Sequence, residues 1–184
     1  MQKGKIIYLE GVSSAGKTTL AKALQARLAE PFFLIGADTF FDTIPEKFWN
    51  VEFNNTAKKI TSATNIIIKL FSDLGIDVIV DYVPVIPSIT KIITTLHEYP
   101  VLYVHVSCPL EELRRRECER GDRPVGIAER QLNDLLPFDA YDLVIDTHNE
   151  SQDESIDKIC GLLNHPDRFT AFKKLYLNRQ VHAE

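Results

Sequence analysis

A glycine-rich octapeptide, "GVSSAGKT" at residues 11–18, carries the clearest chemistry in this sequence. It fits the pattern G-x-x-x-x-G-K-[ST], in which backbone N–H groups surround a phosphate and the lysine reaches the terminal phosphates. The hydroxyl of Thr18 is the type of group that ligates Mg²⁺ beside such a loop. A strand-like run precedes the octapeptide and a helical pattern follows it, so we predict a phosphate loop. Its nucleotide-binding residues would be Gly11, Val12, Ser13, Ser14, Ala15, Gly16, Lys17, Thr18 and Thr19.

Two acids at the ends of strand-like apolar runs are candidate site residues. Asp81 closes "IDVIVD" (76–81) and suits an acid that helps to hold Mg²⁺, through a water, although an acid here could also cap the next turn. Asp38 directly follows "FFLIGA" (32–37) and is either a helix cap or a group aimed at a substrate. Asp77 begins its strand, so it belongs to the opposite edge of the sheet.

An arginine-rich segment, "EELRRRECERGDRPVG" (111–126), follows the fourth apolar run. Arg114 and Arg115 are typical of a solvated helix face. Arg120 and Arg123 flank a glycine that ends the helix, and guanidinium groups match phosphate oxygens. We predict that these two side chains belong to a lid, at about residues 114–130, which closes over the phosphates and excludes water.

The elements that must position these residues alternate along the chain. Helical patterns separate five apolar runs, which predicts an α/β, three-layer P-loop NTPase fold with a five-stranded, mostly parallel sheet and helices on both faces. We expect one domain over residues 1–184, ending in a helix at about 166–180. The predicted strands are 5–10, 32–37, 76–81, 101–107 and 142–146, and the apolar stripe of the longest helix comprises Ala57, Ile60, Ala63, Ile67, Leu70, Phe71 and Leu74.

Composition excludes several classes of protein. The chain has 184 residues and a formal net charge of -5, without the dominant basic face that nucleic-acid binding requires. No apolar run approaches the roughly 18 residues of a membrane span, so we expect a cytoplasmic protein without a membrane partner. The three cysteines and five histidines lack the spacing of metal ligands. Nothing in the sequence indicates the oligomeric state.

Several blocks, in this order, resemble the chloramphenicol phosphotransferase family: "GVSSAGKTTLAKALQ", "IGADTF", "VIVDYV", "CERGDRPVGIAERQ" and "YDLVIDTHNES". The run R-G-D-R-x-x-G-x-A-x-x-Q (120–131) is the more selective of these signals, because the phosphate loop is widely shared. The resemblance implies a kinase that uses ATP and Mg²⁺ to phosphorylate a hydroxyl of a small molecule. It also implies that Asp38 is the catalytic base, that Lys17 holds the phosphates, and that Arg120 and Arg123 are the lid arginines.

The sequence departs from the family after Asp38 and after Asp81. The acceptor region is shorter than in the antibiotic enzyme, and Tyr82 stands where the family has a second acid. Aromatic residues in this region could line an acceptor pocket or only pack a helical flap. They are Phe40, Phe41, Phe48, Trp49 and Phe53.

Two other functions stay open at this stage. One is an ATP-binding switch or assembly protein without an acceptor; the other is a nucleoside or nucleotide kinase. A nucleotide acceptor would require basic residues, and "FDTIPEKFWNVEF" supplies only Lys47. The absence of an N-K-x-D signature favours ATP over GTP, and we expect Thr147, after the last strand, near the adenine.

Overall fold

The computed structural model describes residues 2–36, 38–41, 43, 45, 53–83, 86–121, 125–134 and 140–181, without the side chains of residues 38, 41, 53–58, 86–88, 134 and 179–181. The strands are β1 (Ile6–Glu10), β2 (Phe32–Gly36), β3 (Asp77–Tyr82), β4 (Val101–Ser107) and β5 (Leu143–Asp146). The helices are α1 (Lys17–Arg27), α2 (Asp38–Phe41), α3 (Phe53–Asp73), α4 (Ile86–Leu96), α5 (Leu110–Arg120), α6 (Ile127–Asp134), α7 (Gln152–Leu163) and α8 (Ala171–Val181).

The five strands form one sheet in the order β2-β3-β1-β4-β5. All four neighbouring pairs are parallel, as the strand–helix alternation predicts. In this register Leu9 lies beside Asp81 and Val104, and Glu10 lies beside Tyr82 and His105. The carboxyl ends of β1, β3 and β4 therefore meet at one edge, where ligands of such sheets bind.

Helices cover both faces of the sheet, and side chains of each strand alternate between two cores. One core joins Ile7 and Leu9 of β1 to α1, α5, α6 and α7. The other joins Ile6 and Tyr8 to α3, α4 and α8. Since both cores share the central strands, the predicted three-layer fold is confirmed, and one domain over residues 1–184 remains our proposal.

The buried face of α3 differs from the predicted stripe. Ile68 is buried, but Leu70 and Leu74 are 50% and 54% exposed. The polar residues Thr64 and Ser72 are buried instead, because each donates its hydroxyl to a backbone carbonyl, that of Ile60 and that of Gly4 respectively. A helix with apolar residues on several faces does not specify its buried face by spacing alone.

The chain after α7 is also less helical than predicted. Pro166–Arg168 form a short 3₁₀ turn, and α8 begins only at Ala171. The N–H groups of Thr170 and Ala171 both donate to Oδ1 of Asp142, which fixes the start of this helix against the end of the sheet. Within the described part of the chain, no helix has both the length and the apolar character that a membrane crossing requires.

Candidate active site

The predicted phosphate loop connects β1 to α1 at the carboxyl edge of the sheet. Gly11 passes so close to β4 that a Cβ atom there would lie 2.4 Å from the carbonyl oxygen of Val106. Gly16 adopts a φ of 95° immediately before α1, a conformation that side-chain-bearing residues rarely adopt. Both glycines of the pattern are therefore required by the backbone, and the N-terminus of α1 opens toward the loop.

Lys17 and Thr18 end the loop pattern and are the first two residues of α1. Lys17 is only 6% exposed, and its Nζ donates to the carbonyl oxygen of Val12 at 2.8 Å. The hydroxyl of Thr18 donates to Oδ2 of Asp81, at the end of β3, over 2.5 Å. Hydroxyl and carboxylate oxygens are ligands that Mg²⁺ prefers. Thr18 and Asp81 thus fit a magnesium site that substrate phosphates and waters would complete.

These side chains share a cavity of about 940 Å³, at the upper end of the range for ligand pockets. On one side its wall comes from α5 and the region after β5, including Glu119, Arg120 and Thr147. On the other side it comes from β2, α2 and the end of β3, including Leu34, Thr39 and Val83. The loop residues Ser13, Ser14, Gly16, Lys17, Thr18 and Thr19 lie between the two sides.

Hydrogen bonds to an acidic side chain within it stabilise the turn after β5. Asp146 accepts hydrogen bonds from Asn149 Nδ2 and from the N–H of His148, and these bonds lower the pKa of its carboxyl. Ser151 and Glu154 then form a capping box at the start of α7. Thr147, the residue expected near adenine, packs on the phosphate loop: its Oγ1 donates to the carbonyl of Ala15 at 2.8 Å.

The structure describes only part of the predicted lid, which therefore stays a prediction. α5 ends at Arg120, as predicted, and Arg120 lines the cavity. Arg114 pairs with Glu129, and Arg115 pairs with Glu112 and Glu119, so these two are surface residues as expected. Arg123 lies outside the described residues.

Asp38 begins α2, at the end of the loop that leaves β2. Its neighbours Gly36 and Thr39 line the cavity, and the N–H of Gly36 donates to Oγ1 of Thr39 at 2.9 Å. The side chain of Asp38 lies outside the described part of the structure. Of the aromatic residues that follow, Phe40 packs against the core formed with α3, α4 and α8. Residues 48 and 49 and the side chains of Phe41 and Phe53 are not described.

Three residues near this site were not predicted from the sequence. Arg116 reaches the phosphate loop from α5, and Gln131 reaches it from α6. Glu10, the last residue of β1, is fully buried beside Tyr103. A signal existed for Gln131, since it ends the R-G-D-R-x-x-G-x-A-x-x-Q run; Arg116 was hidden among five arginines.

The fold and this loop define the class of the protein, a P-loop kinase fold. Its structure superposes with a TM-score of 0.69 on the APS kinase CysC of Mycobacterium tuberculosis, solved with AMPPNP and APS, covering 89% of this chain and 99% of that one at 17% identity. It also superposes on a tunicamycin resistance protein of Deinococcus radiodurans, with a TM-score of 0.65, 18% identity and coverage of 88% and 96%.

Sequence comparison identifies the family. The model of "Chloramphenicol phosphotransferase-like protein" matches residues 4–164. A Mycobacterium tuberculosis protein named "Putative O-phosphotransferase Rv2636" is 31% identical over 176 residues, which cover 80% of this chain and 76% of the relative. The chain therefore belongs to the chloramphenicol phosphotransferase-like family and is a small-molecule kinase.

Proposed function

We propose that this enzyme transfers the γ-phosphate of ATP, with Mg²⁺, to a hydroxyl group of a small molecule. The observation that carries the proposal is the two-sided cavity. The phosphate loop, Lys17 and the Thr18–Asp81 pair occupy its centre, between the α5–β5 side and the β2–α2 side. A nucleotide on the first side would direct its terminal phosphate toward an acceptor on the second.

The residues of the cavity match the demands of phosphoryl transfer, in which positioning and electrostatics dominate. The loop N–H groups and Lys17 would bind the β- and γ-phosphates, and Thr18 and Asp81 would hold Mg²⁺, which neutralises phosphate charge when bound. Arg120, and Arg123 after it, would place guanidinium groups over the γ-phosphate as part of the lid. Water would then be excluded from the transferred group.

Asp38 is the proposed base. It follows β2 directly, and its sequence neighbours Gly36 and Thr39 both line the acceptor side of the cavity. From that position a carboxylate accepts a hydrogen bond from the acceptor hydroxyl, orients its oxygen in line with the γ-phosphate, and takes the proton. The described acceptor wall is partly apolar, with Leu34 and Val83. This suits an acceptor with an apolar body, such as chloramphenicol, the compound for which the family is named.

The test is a transfer assay with an acceptor panel. Wild-type enzyme is incubated with Mg-ATP and chloramphenicol, nucleosides, shikimate or adenylyl sulfate, and the products are identified by mass spectrometry. We expect one phosphorylated product, formed in equal amount to ADP, and its loss in Asp38→Asn. ATP hydrolysis without any phosphorylated acceptor would contradict the proposal. Full transfer by Asp38→Asn would leave the proposed reaction standing but would show that Asp38 is not its base.

A further inference from the structure

The phosphate loop contains a backbone conformation that the loop alone does not explain. Ser14 has a φ of 62°, in the left-handed region that residues with a side chain rarely occupy. This conformation is destabilising for a residue with a side chain and persists only where its surroundings fix it. Within the loop the N–H of Ala15 donates to the carbonyl of Val12 at 3.4 Å, and further contacts reach Ser13, Ser14 and Ala15 from outside it.

Gln131 supplies the first of these contacts. Its Oε1 accepts the N–H of Ser13 at 2.6 Å, across 118 residues of sequence. Ser13 is only 5% exposed, and Gln131 gives its N–H a protein acceptor. The amide of Gln131 thereby determines where the first half of the loop lies.

Arg116 supplies the second contact. Its Nη1 donates to the carbonyl of Ser14 at 3.4 Å and to Oγ1 of Thr147 at 3.0 Å, and its Nη2 donates to the carbonyl of Thr147 at 3.0 Å. Its Nε is held by Glu112 at 2.7 Å. The same Thr147 hydroxyl donates to the carbonyl of Ala15. One guanidinium group therefore anchors both the loop and the turn that supports it.

The helices that carry these two side chains are joined by a buried acid. Glu117 of α5 is 4% exposed, and its two carboxylate oxygens accept the N–H groups of Gly126 and Ala128, at 2.8 and 2.7 Å. These groups lie at the start of α6, where a helix leaves its N–H groups without partners. Arg116 and Gln131 consequently project from one braced pair of helices.

We propose that Gln131 and Arg116 are positioning residues that hold the phosphate loop in its phosphate-binding conformation. A trans peptide points its carbonyl and its N–H in opposite directions. Because Arg116 and Thr147 bind the carbonyls of Ser14 and Ala15 from outside the loop, the N–H groups that follow point the opposite way, and that of Ala15 donates to the carbonyl of Val12 at 3.4 Å. If either carbonyl were released, its negative oxygen could face the phosphate chain and repel it. The proposal rests on the proposed function only in taking this loop as the phosphate site.

The test compares a phosphate-bearing ligand with one that has no phosphate. Gln131→Met and Arg116→Met are titrated calorimetrically with Mg-AMPPNP, and adenosine affinity is measured by competition. Matched controls are Asn133→Met, an exposed polar residue on the same helix as Gln131, and Arg115→Met, the surface neighbour of Arg116. Melting temperatures without nucleotide report on folding.

We expect each test variant to raise the Kd for Mg-AMPPNP about tenfold, as the loss of one or two anchoring hydrogen bonds predicts. Gln131→Met, which leaves Thr147 untouched, should keep adenosine affinity within about twofold of wild type. The controls should match wild type for both ligands. Arg116→Met loses several contacts. If it folds poorly, Gln131→Met alone still tests the proposal. Equal losses for adenosine and AMPPNP, or unchanged AMPPNP affinity in Gln131→Met, would overturn the proposal. A wild-type enzyme that binds no AMPPNP would overturn the proposed function with it.

Discussion

Asp81 and Glu10 are two acids one register position apart at the carboxyl edge of neighbouring strands, yet they face opposite sides of the sheet. Asp81 lies beside Leu9, whose side chain joins the core under α1, and it meets Thr18 in the cavity. Glu10 lies beside Tyr82 and points into the aromatic core under α3, α4 and α8. A single step along a strand therefore separates a candidate metal ligand from a buried structural acid.

The environment of Glu10 is that of a core residue. The hydroxyl of Tyr103 donates to its Oε2 at 3.0 Å, and Nδ1 of His105 lies 3.6 Å from the same oxygen. Burial first, and then the Glu10 carboxylate, raise the pKa of Tyr103 well above its usual value. Tyr103 is therefore a neutral hydrogen-bond donor throughout the physiological pH range, and it stabilises the buried carboxylate.

Replacing each acid with its amide should give the largest difference in phosphoryl-transfer rate between the two faces of the sheet. We expect Asp81→Asn to lower the rate of phosphoryl transfer by about 100-fold or more, equivalent to about 2.7 kcal/mol, because the amide weakens Mg²⁺ binding. Glu10→Gln should stay within about threefold of wild type. Initial rates with saturating Mg-ATP measure both effects. Equal rates for the two variants would contradict the distinction between the Asp81 face and the Glu10 face.

Substitutions of Thr18 test whether the contact with Asp81 serves the metal or only the fold. Thr18→Ser keeps the hydroxyl and should retain at least about a third of the transfer rate, whereas the isosteric Thr18→Val should lose about 10- to 100-fold. Raising the Mg²⁺ concentration should recover part of the loss in Thr18→Val. If a higher Mg²⁺ concentration recovered none of the transfer rate of Thr18→Val, the contact with Asp81 would have only a structural role.

On the opposite face, Tyr103→Phe should affect stability and leave chemistry unchanged. The substitution removes a hydrogen bond to a buried carboxylate, which lowers the free energy of unfolding by about 1–3 kcal/mol. Urea denaturation measures this loss. In a Glu10→Gln background the same substitution should cost less, because an amide needs the bond less than a charged group does. An equal loss of unfolding free energy in both backgrounds would argue against a stabilising hydrogen bond between Tyr103 and Glu10.

A third acid, Glu112 on α5, extends the comparison to pH and should give the smallest effect. Its hydrogen bonds with Arg115, and then with Arg116, lower the pKa of its carboxyl from 4.5 to about 2. A depressed pKa in the folded protein gives stability that is present above pH 4.5 and is lost as the pH falls toward 2. The stability difference between wild type and Glu112→Gln should therefore shrink over that interval in urea titrations. Glu111→Gln, on the same turn, is the control, and a constant difference would contradict this reading.

Much of the fold was predictable because its signals are local. The five strands, the loop pattern and the end of α5 at Gly121 follow from apolar runs and glycines. The faces of the strands were not predictable, because a strand that is buried on both sides has no polar alternation to mark them. Glu10 ends a strand-like run just as Asp81 does, and no local pattern in the sequence shows that the two face opposite sides. The contacts of Gln131 with Ser13 and of Arg116 with Ser14 span more than 100 residues, and only the folded chain brings them together.

The central claim, that the Asp81 face binds nucleotide through Mg²⁺ and the Glu10 face does not, can be tested by one calorimetric experiment. AMPPNP is titrated into wild type, Asp81→Asn and Glu10→Gln, with Mg²⁺ and with EDTA. We predict that Mg²⁺ strengthens binding at least about tenfold in wild type and Glu10→Gln, and that this gain disappears in Asp81→Asn. A full Mg²⁺-dependent gain in Asp81→Asn, or its loss in Glu10→Gln, would contradict the assignment.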